Sequence, residues 1–273
     1  MIKIEHPFQH HVEPGTKIYL NKISTKAADH YGFDRKTAED EFKDLRKELI
    51  DLQFKLYAEG KQKMLIVLQA LDAGGKDSTI RKVFRGVNPQ GVDVTSFKAP
   101  SKEELAHDYL WRVHQHVPSK GMIGIFNRSH YEDVLIVRVQ DLVPKSVWSK
   151  RFDHINQFEK LLADTGTRII KIYLHISKDE QKERLQARID DSTRNWKFES
   201  GDLKQRAKWD DYWGAFEDVF AKCTMDYAPW YIIPADNKWY RNLAVSRILV
   251  HTLREMDPQY PPPEEGLHDI VIE

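Results

Sequence analysis

A three-layer α/β fold, with a parallel sheet and a helical insertion, is predicted by three features of the 273-residue sequence. Apolar runs of strand length alternate with segments of helical periodicity, the pattern of a sheet with helices on its faces. The central runs are continuous, as strands covered on both sides must be. A polar, charged stretch, residues 179–223, stands between the last two runs and carries few strand signals, so it reads as an inserted helical lid. No internal repeat or low-complexity linker divides the chain, so residues 1–273 read as a single domain.

Residues 1–33 read as an irregular N-terminal arm, with Pro7, Pro14 and Gly15. Asp34 is placed to cap a helix on which Ala38, Phe42, Leu45, Leu49, Leu52 and Leu56 form one apolar stripe, and Gly60 stops it. MLIVLQA, from Met64, is the first strand, followed by a Gly-containing turn and a helix from about Ser78 to Phe84. VDVTSF, from Val92, alternates as a second strand. Ser101 and Glu104 make a capping-box signature for a helix that carries Leu105, Tyr109 and Val113 and closes before Pro118. MIGIF is a short strand ending at Asn127. Pro144 to about Ala163 is helical, with Trp148, Phe152, Ile155 and Leu162 on one side. RIIKIYLHIS, from Arg168, is the next strand. The insertion is helical with a break near Asp191 to Gly201. WYIIPAD is the last buried strand, Asn242 to Met256 the final helix, and YPPPEE an extended tail.

Composition sets bounds. Hydrophobic residues make up 41% of the chain, enough for a core, and the 42 basic and 42 acidic residues cancel. Any hold on a polyanion must therefore come from local placement of charge. One cysteine, Cys223, excludes an intramolecular disulfide and reads as a small core residue. The start lacks the long apolar core of a secretory signal, and the longest apolar run is too short to span a bilayer. A soluble, cytoplasmic chain with neither membrane nor nucleic-acid partner is the expectation.

The chemistry concentrates in LDAGGKDST, Leu71 to Thr79, which follows a strand and opens a helix as a P-loop must. Ala73, Gly74, Gly75, Lys76, Asp77 and Ser78 are the candidate phosphate-contacting residues. The two glycines let backbone N–H groups turn toward phosphate oxygens, the helix N-terminus adds positive partial charge, and Lys76 supplies a compact cation. The match to a Walker A loop is imperfect. Ala70 replaces the first glycine, and Asp77 replaces the metal-binding hydroxyl, with Ser78 one position late. Asp72 lies inside the loop, where it repels phosphate unless a cation stands between them, which points to Mg²⁺. The next strand end delivers Asn127, Arg128, Glu132 and Asp133. Ligands of parallel α/β sheets bind beyond the carboxyl ends of strands. Arg128 suits bidentate pairing with phosphate, and the acids suit a second metal contact. His114 and His116, spaced i, i+2 on a predicted helix, point to different faces, which argues against a shared metal with His130.

Together, LDAGGKDST, FNRSHYEDV, NWKF at Asn195 to Phe198 and APWYIIPADNKWYRN resemble polyphosphate kinase family 2, in order from about Leu52 to Leu253. The resemblance implies a thymidylate-kinase-like P-loop fold with a helical lid. It further implies Mg²⁺, and phosphate transfer between inorganic polyphosphate and AMP, ADP or ATP. By position, Asp72 and Lys76 match the family's loop aspartate and lysine, Arg128 the Walker B arginine and Arg188 a lid arginine. Many members carry Asp where this chain has Asn127. FNRSHYED is similar to the class III subgroup, which accepts both AMP and ADP. Asp133 is then expected to take over the missing carboxylate's work as metal ligand beside Asp72, with Glu132 tuning nucleotide preference. The family also implies a dimer or tetramer.

Arg184 and Arg188 share a helix face and, with Arg194 and Lys197, are expected to clamp donor and acceptor phosphates. Arg81, Lys82 and Arg85 follow the loop on one short helix and extend a local positive track. The expected activity is Mg²⁺-dependent, reversible transfer of phosphate from polyphosphate to AMP or ADP, with Asp72, Lys76, Arg128, Asp133 and Arg188 as catalytic residues. The rivals are an ATP-dependent nucleoside or nucleotide kinase of the same fold, against which Asp77 argues, and a non-catalytic polyphosphate-binding module.

Overall fold

The computed structural model describes residues 7–267 and 270–272. Five strands, β1 Lys63–Ala70, β2 Val92–Ser96, β3 Ile123–Asn127, β4 Thr167–His175 and β5 Trp230–Pro234, form one sheet in the order β2-β3-β1-β4-β5. Every pairing is parallel, so each connection must cross over a face of the sheet. Helices provide that cover. They are α1 Arg35–Glu59, α2 Lys76–Val83, then the short α3 Lys102–Ala106, α4 Trp111–His114, α5 Ile136–Val139 and α6 Lys145–Trp148, followed by α7 Arg151–Asp164, α8 Lys178–Asp190, α9 Ser200–Ala207, α10 Trp209–Cys223 and α11 Lys238–Met256. α1 and α2 pack on α11 in one layer, while α5 and α7 pack on α10 in another.

The local signals hold where they were strongest. Asp34 caps α1 by accepting from Thr37 N, and Gly60 ends it at φ 62°. β1 is buried from Met64 to Ala70, and the central strand of the sheet is thus the one that runs into the phosphate loop. Cys223 is fully buried.

Three predicted spans change. The Ser101–Glu104 capping box forms, but its helix stops at Ala106, because His107 turns extended and Asp108 Oδ1 accepts from Leu110 N. That Asx turn competes with the helix, leaves Leu105 exposed and lets the chain restart as α4. The Pro144–Ala163 helix divides into α6 and α7 at Ser149 and Lys150. The final helix begins four residues early, at Lys238. Its burial runs nearly all round, so no single apolar stripe marks its start.

The stretch 179–223 contains two kinds of structure. α10 buries Trp209, Tyr212, Phe216, Val219, Phe220 and Cys223 in the core, so it is a layer of the fold. Residues 192–197 and most of α9 are exposed, with Trp196 77% exposed rather than packed. The N-terminal arm also packs. Val12, Leu20, Ala27 and Tyr31 are buried, His11 bridges antiparallel to Tyr231, and Val12 N donates to Trp230 O at 2.9 Å.

Candidate active site

β1 delivers its last residue, Ala70, into a loop that closes at Lys76, the first residue of α2. Ala73 (φ 57°) and Gly75 (φ 104°) turn it through the left-handed region. Gly74 is required by contact and Gly75 by its left-handed backbone. A Cβ on Gly74 would stand 2.5 Å from Ala70 Cβ, and one on Gly75 would stand 2.1 Å from Arg241 Nη1. Lys76 Nζ folds back to donate to Ala70 O at 2.9 Å. Burial, then Arg128, lowers its pKa, against the pull of Asp72, Glu132 and Asp77. The Ser78 and Thr79 hydroxyls both donate to Gly75 O, at 2.9 and 3.0 Å. Asp77 is exposed and accepts from Asn127 Nδ2 at 2.7 Å, with Lys197 Nζ 3.8 Å away.

β3 lies beside β1, with Asn127 level with Leu68, so its end faces the loop. Arg128 sits at φ 62°, an uncommon conformation for a side-chain-bearing residue, and reaches Asp72 Oδ1 with Nη2 at 3.3 Å. Glu132 also turns to the loop. The Gln69 carboxamide, oriented to satisfy both of its ends, donates to Glu132 Oε1 at 3.0 Å and accepts from Ser129. Burial raises the Glu132 carboxyl pKa, with Arg128 and Lys76 opposing. Asp133 turns the other way. It accepts from Arg151 Nη1 at 2.7 Å, and burial raises its pKa to about 6. The structure thus brings Glu132, not Asp133, to Asp72, Lys76 and Arg128, because consecutive residues of the short turn His130–Asp133 point in different directions.

A buried polar cluster supports this turn. Glu159 accepts from Lys171 Nζ at 2.6 Å, from His130 Nε2 at 3.0 Å and from the Tyr131 hydroxyl at 2.9 Å. Lys171 also donates to Cys223 O at 2.6 Å. His130, Glu159 and Lys171 are fully buried, and His114 and His116 lie against Phe158 and Phe97.

The candidate clamp residues divide. Arg184 is held by backbone carbonyls, including Ala73 O and Gly74 O of the loop. Arg188 Nη1 donates to Asp202 Oδ2 at 3.2 Å and to Lys197 O at 3.3 Å. Arg194 pairs with Asp191. Arg81, Lys82 and Arg85 are exposed on or just past α2, outside the Asp72–Lys76–Arg128–Glu132 cluster. Sequence reading passed over Gln69, Gln181 and Arg241. Arg241 is 1% exposed, lies against Gly75 and leaves Nη1 without a hydrogen-bond partner. It fell just before the predicted start of the final helix, so no helical pattern marked it.

The donor set suits a hard divalent cation. Two cations, Lys76 and Arg128, face three carboxylates, Asp72, Glu132 and Asp77. Among the described residues no three ligating side chains form a closed cage. Mg²⁺ fits such a site, because it takes one or two carboxylates and completes its shell with water and substrate phosphates.

Comparison with known proteins gives the family. Residues 32–261 match the family model described as polyphosphate kinase 2. An AMP/ADP-polyphosphate phosphotransferase of Meiothermus ruber is 53% identical over 265 residues, covering 97% of this chain and 99% of that one. An ADP-polyphosphate phosphotransferase of Rhodopseudomonas palustris is 43% identical, covering 93% and 91%. The crystal structure of a polyphosphate kinase 2 from Arthrobacter aurescens superposes with a TM-score of 0.92 at 38% identity, covering 97% and 95%.

Proposed function

The chain belongs to the polyphosphate kinase 2 family, and from that premise we propose that it transfers the terminal phosphate of inorganic polyphosphate to AMP and ADP. It is a polyphosphate-dependent nucleotide kinase. The observation that carries the reading is Asp72 inside a phosphate loop, met by Arg128 from the neighbouring strand end at 3.3 Å. A loop built for an ATP-dependent kinase presents a hydroxyl to its metal. Here Asp77 takes that place, one residue after Lys76.

Phosphoryl transfer depends mainly on positioning and on offsetting charge. An oxygen of the nucleotide's terminal phosphate attacks the end phosphorus of polyphosphate. The new P–O bond forms as the bridging P–O bond breaks, and the chain leaves one phosphate shorter. Lys76 and the loop amides hold the phosphates. Arg128 and Arg188 face the transferring group, with Arg188 leaving Asp202 as the lid closes over the site. Asp72 and Glu132 would hold Mg²⁺, which would supply positive charge against the phosphates. Arg81, Lys82 and Arg85 extend the polyphosphate track, with Arg194 and Lys197 on the lid above it. Asp133 acts through Arg151 rather than on the metal. Family membership is also the ground for reading the protein as a cytoplasmic homo-oligomer.

The test is product analysis. Protein, Mg²⁺ and long-chain polyphosphate should convert ADP to ATP, and AMP to ADP and then ATP. No nucleotide product from either acceptor would refute the reading; a reaction that stops at ADP would refute only the dual acceptor range.

A further inference from the structure

We propose that Gln181 and Arg184, on the helix at the root of the lid, are positioning residues that fix the peptides of the phosphate loop. α8 runs beside the loop, and three consecutive loop carbonyls are held from it. Gln181 Nε2 donates to Asp72 O at 2.8 Å. Arg184 Nη1 donates to Ala73 O at 3.1 Å and to Gly74 O at 3.0 Å. The rest of the guanidinium is also committed. Nη2 donates to Ala235 O at 2.5 Å and Asp236 O at 3.2 Å, and Nε to Glu180 Oε1 at 2.7 Å. A guanidinium has five N–H donors, and all five are used. Arg184 therefore has none left for phosphate, despite sharing a helix face with Arg188.

The planarity of the peptide converts these bonds into a statement about the site. A carbonyl fixed on one side sends the N–H of the same peptide to the other. Holding Asp72 O, Ala73 O and Gly74 O toward α8 turns the N–H groups of Ala73, Gly74 and Gly75 away from it. Gly74 N is used within the loop, donating to Leu71 O at 3.0 Å. The amides of Ala73 and Gly75 have no backbone acceptor among the described residues. They are the donors that this arrangement keeps aimed for an anion.

Gln181 carries the link further. It is 2% exposed, and its Oε1 accepts from Arg206 Nη1 at 3.0 Å, which also donates to Lys178 O at 2.6 Å. Arg206 stands on α9, the exposed helix of the lid. A continuous hydrogen-bonded path thus runs from α9 through Gln181 to the backbone of Asp72, and the position of the lid bears directly on the loop.

The inference rests on the proposed function only in taking this loop as the phosphate cradle. Its test is binding of polyphosphate in EDTA, by calorimetry across a KCl series, beside kcat and KM with Mg²⁺ and ADP. Arg184→Ala and Arg184→Lys should both weaken metal-free binding by about tenfold or more, the scale of losing bonds to a charged donor. The slope of log affinity against log salt, which counts phosphate–cation contacts, should stay at the wild-type value. Turnover should fall in both variants, with lysine no better than alanine. Gln181→Leu keeps the volume and should give a smaller loss of the same kind. A shallower salt slope for Arg184→Ala, or recovery in Arg184→Lys, would mean that Arg184 touches phosphate and would overturn the proposal. Wild-type affinity and turnover with only a lowered melting temperature would overturn it too. Should the arginine variants fail to fold, Gln181→Leu decides: unchanged affinity and turnover refute the positioning role. A wild-type chain that neither binds polyphosphate nor makes product would refute the proposed function itself.

Discussion

Lys171→Met should destabilise the protein most at neutral pH and least in acid. The substitution keeps a long side chain but strands Glu159, whose carboxylate is fully buried and would keep only His130 and Tyr131 as partners. Removing one member of a buried ion pair costs about 3–5 kcal/mol. For a domain of this size that lowers the melting temperature by about 6–20 °C, at about 2–4 °C per kcal/mol. The pH dependence follows from the wild-type balance. Burial alone would raise the Glu159 pKa, but Lys171, then His130, outweigh it and hold it below the ordinary glutamate value. Its contribution to stability is present above the unfolded pKa and is lost as pH falls through the lower folded value. Without Lys171, burial wins and the folded pKa rises above the unfolded one. The protonated acid then fits the fold below the unfolded value, and stability is lost as pH rises through the raised one. Urea melts of both proteins at pH 8, 7, 6 and 5 should therefore show a gap that narrows toward acid. A loss under about 1 kcal/mol, or a gap independent of pH, would refute the account of a buried pair supporting the His130–Asp133 turn.

Two further tests concern the loop and its partners. Asp72→Asn and Glu132→Gln should each reduce turnover by about 10²–10³-fold, the scale for one preorganised electrostatic group, and should raise the Mg²⁺ concentration for half-maximal rate. Asp133→Asn should do far less, and equal damage from it in the same titration would return the metal-ligand role to Asp133. Gly75→Ala should abolish polyphosphate binding and destabilise the chain by about 1–3 kcal/mol, because φ is 104° and the new methyl meets Arg241 Nη1 at 2.1 Å; calorimetry and thermal melts would expose a tolerated methyl at once.

Local rules carried much of this fold. Asp34, Gly60 and the stripe from Ala38 to Leu56 define α1 without help from the rest of the chain, and continuous apolar runs mark the strands. What stayed hidden depends on tertiary contact. Nothing in YED says which of two adjacent acids meets the phosphate loop; the His130–Asp133 turn and Arg151 decide it. The i, i+4 spacing correctly put Arg184 and Arg188 on one face, but only the path of the loop and of β5 shows that one is enclosed by carbonyls while the other pairs with Asp202. Lys171 did leave a mark, as a lone cation inside the apolar run RIIKIYLHIS. Its partner Glu159 lies on an amphipathic helix, where a charge attracts no notice.

The docking of the N-terminal arm bears on self-association. β5 is an edge strand, buried along its whole length, and an unprotected edge of such composition templates pairing between chains. The opposite edge, β2, carries an exposed Asp93 and tolerates water. At β5 the protection is borrowed: the bridge from His11 to Tyr231 and the bond from Val12 N to Trp230 O occupy the ladder groups. The family match begins only at residue 32. Trimming the chain to that boundary would keep every residue of the catalytic cluster and still uncover the strand best suited to aggregate.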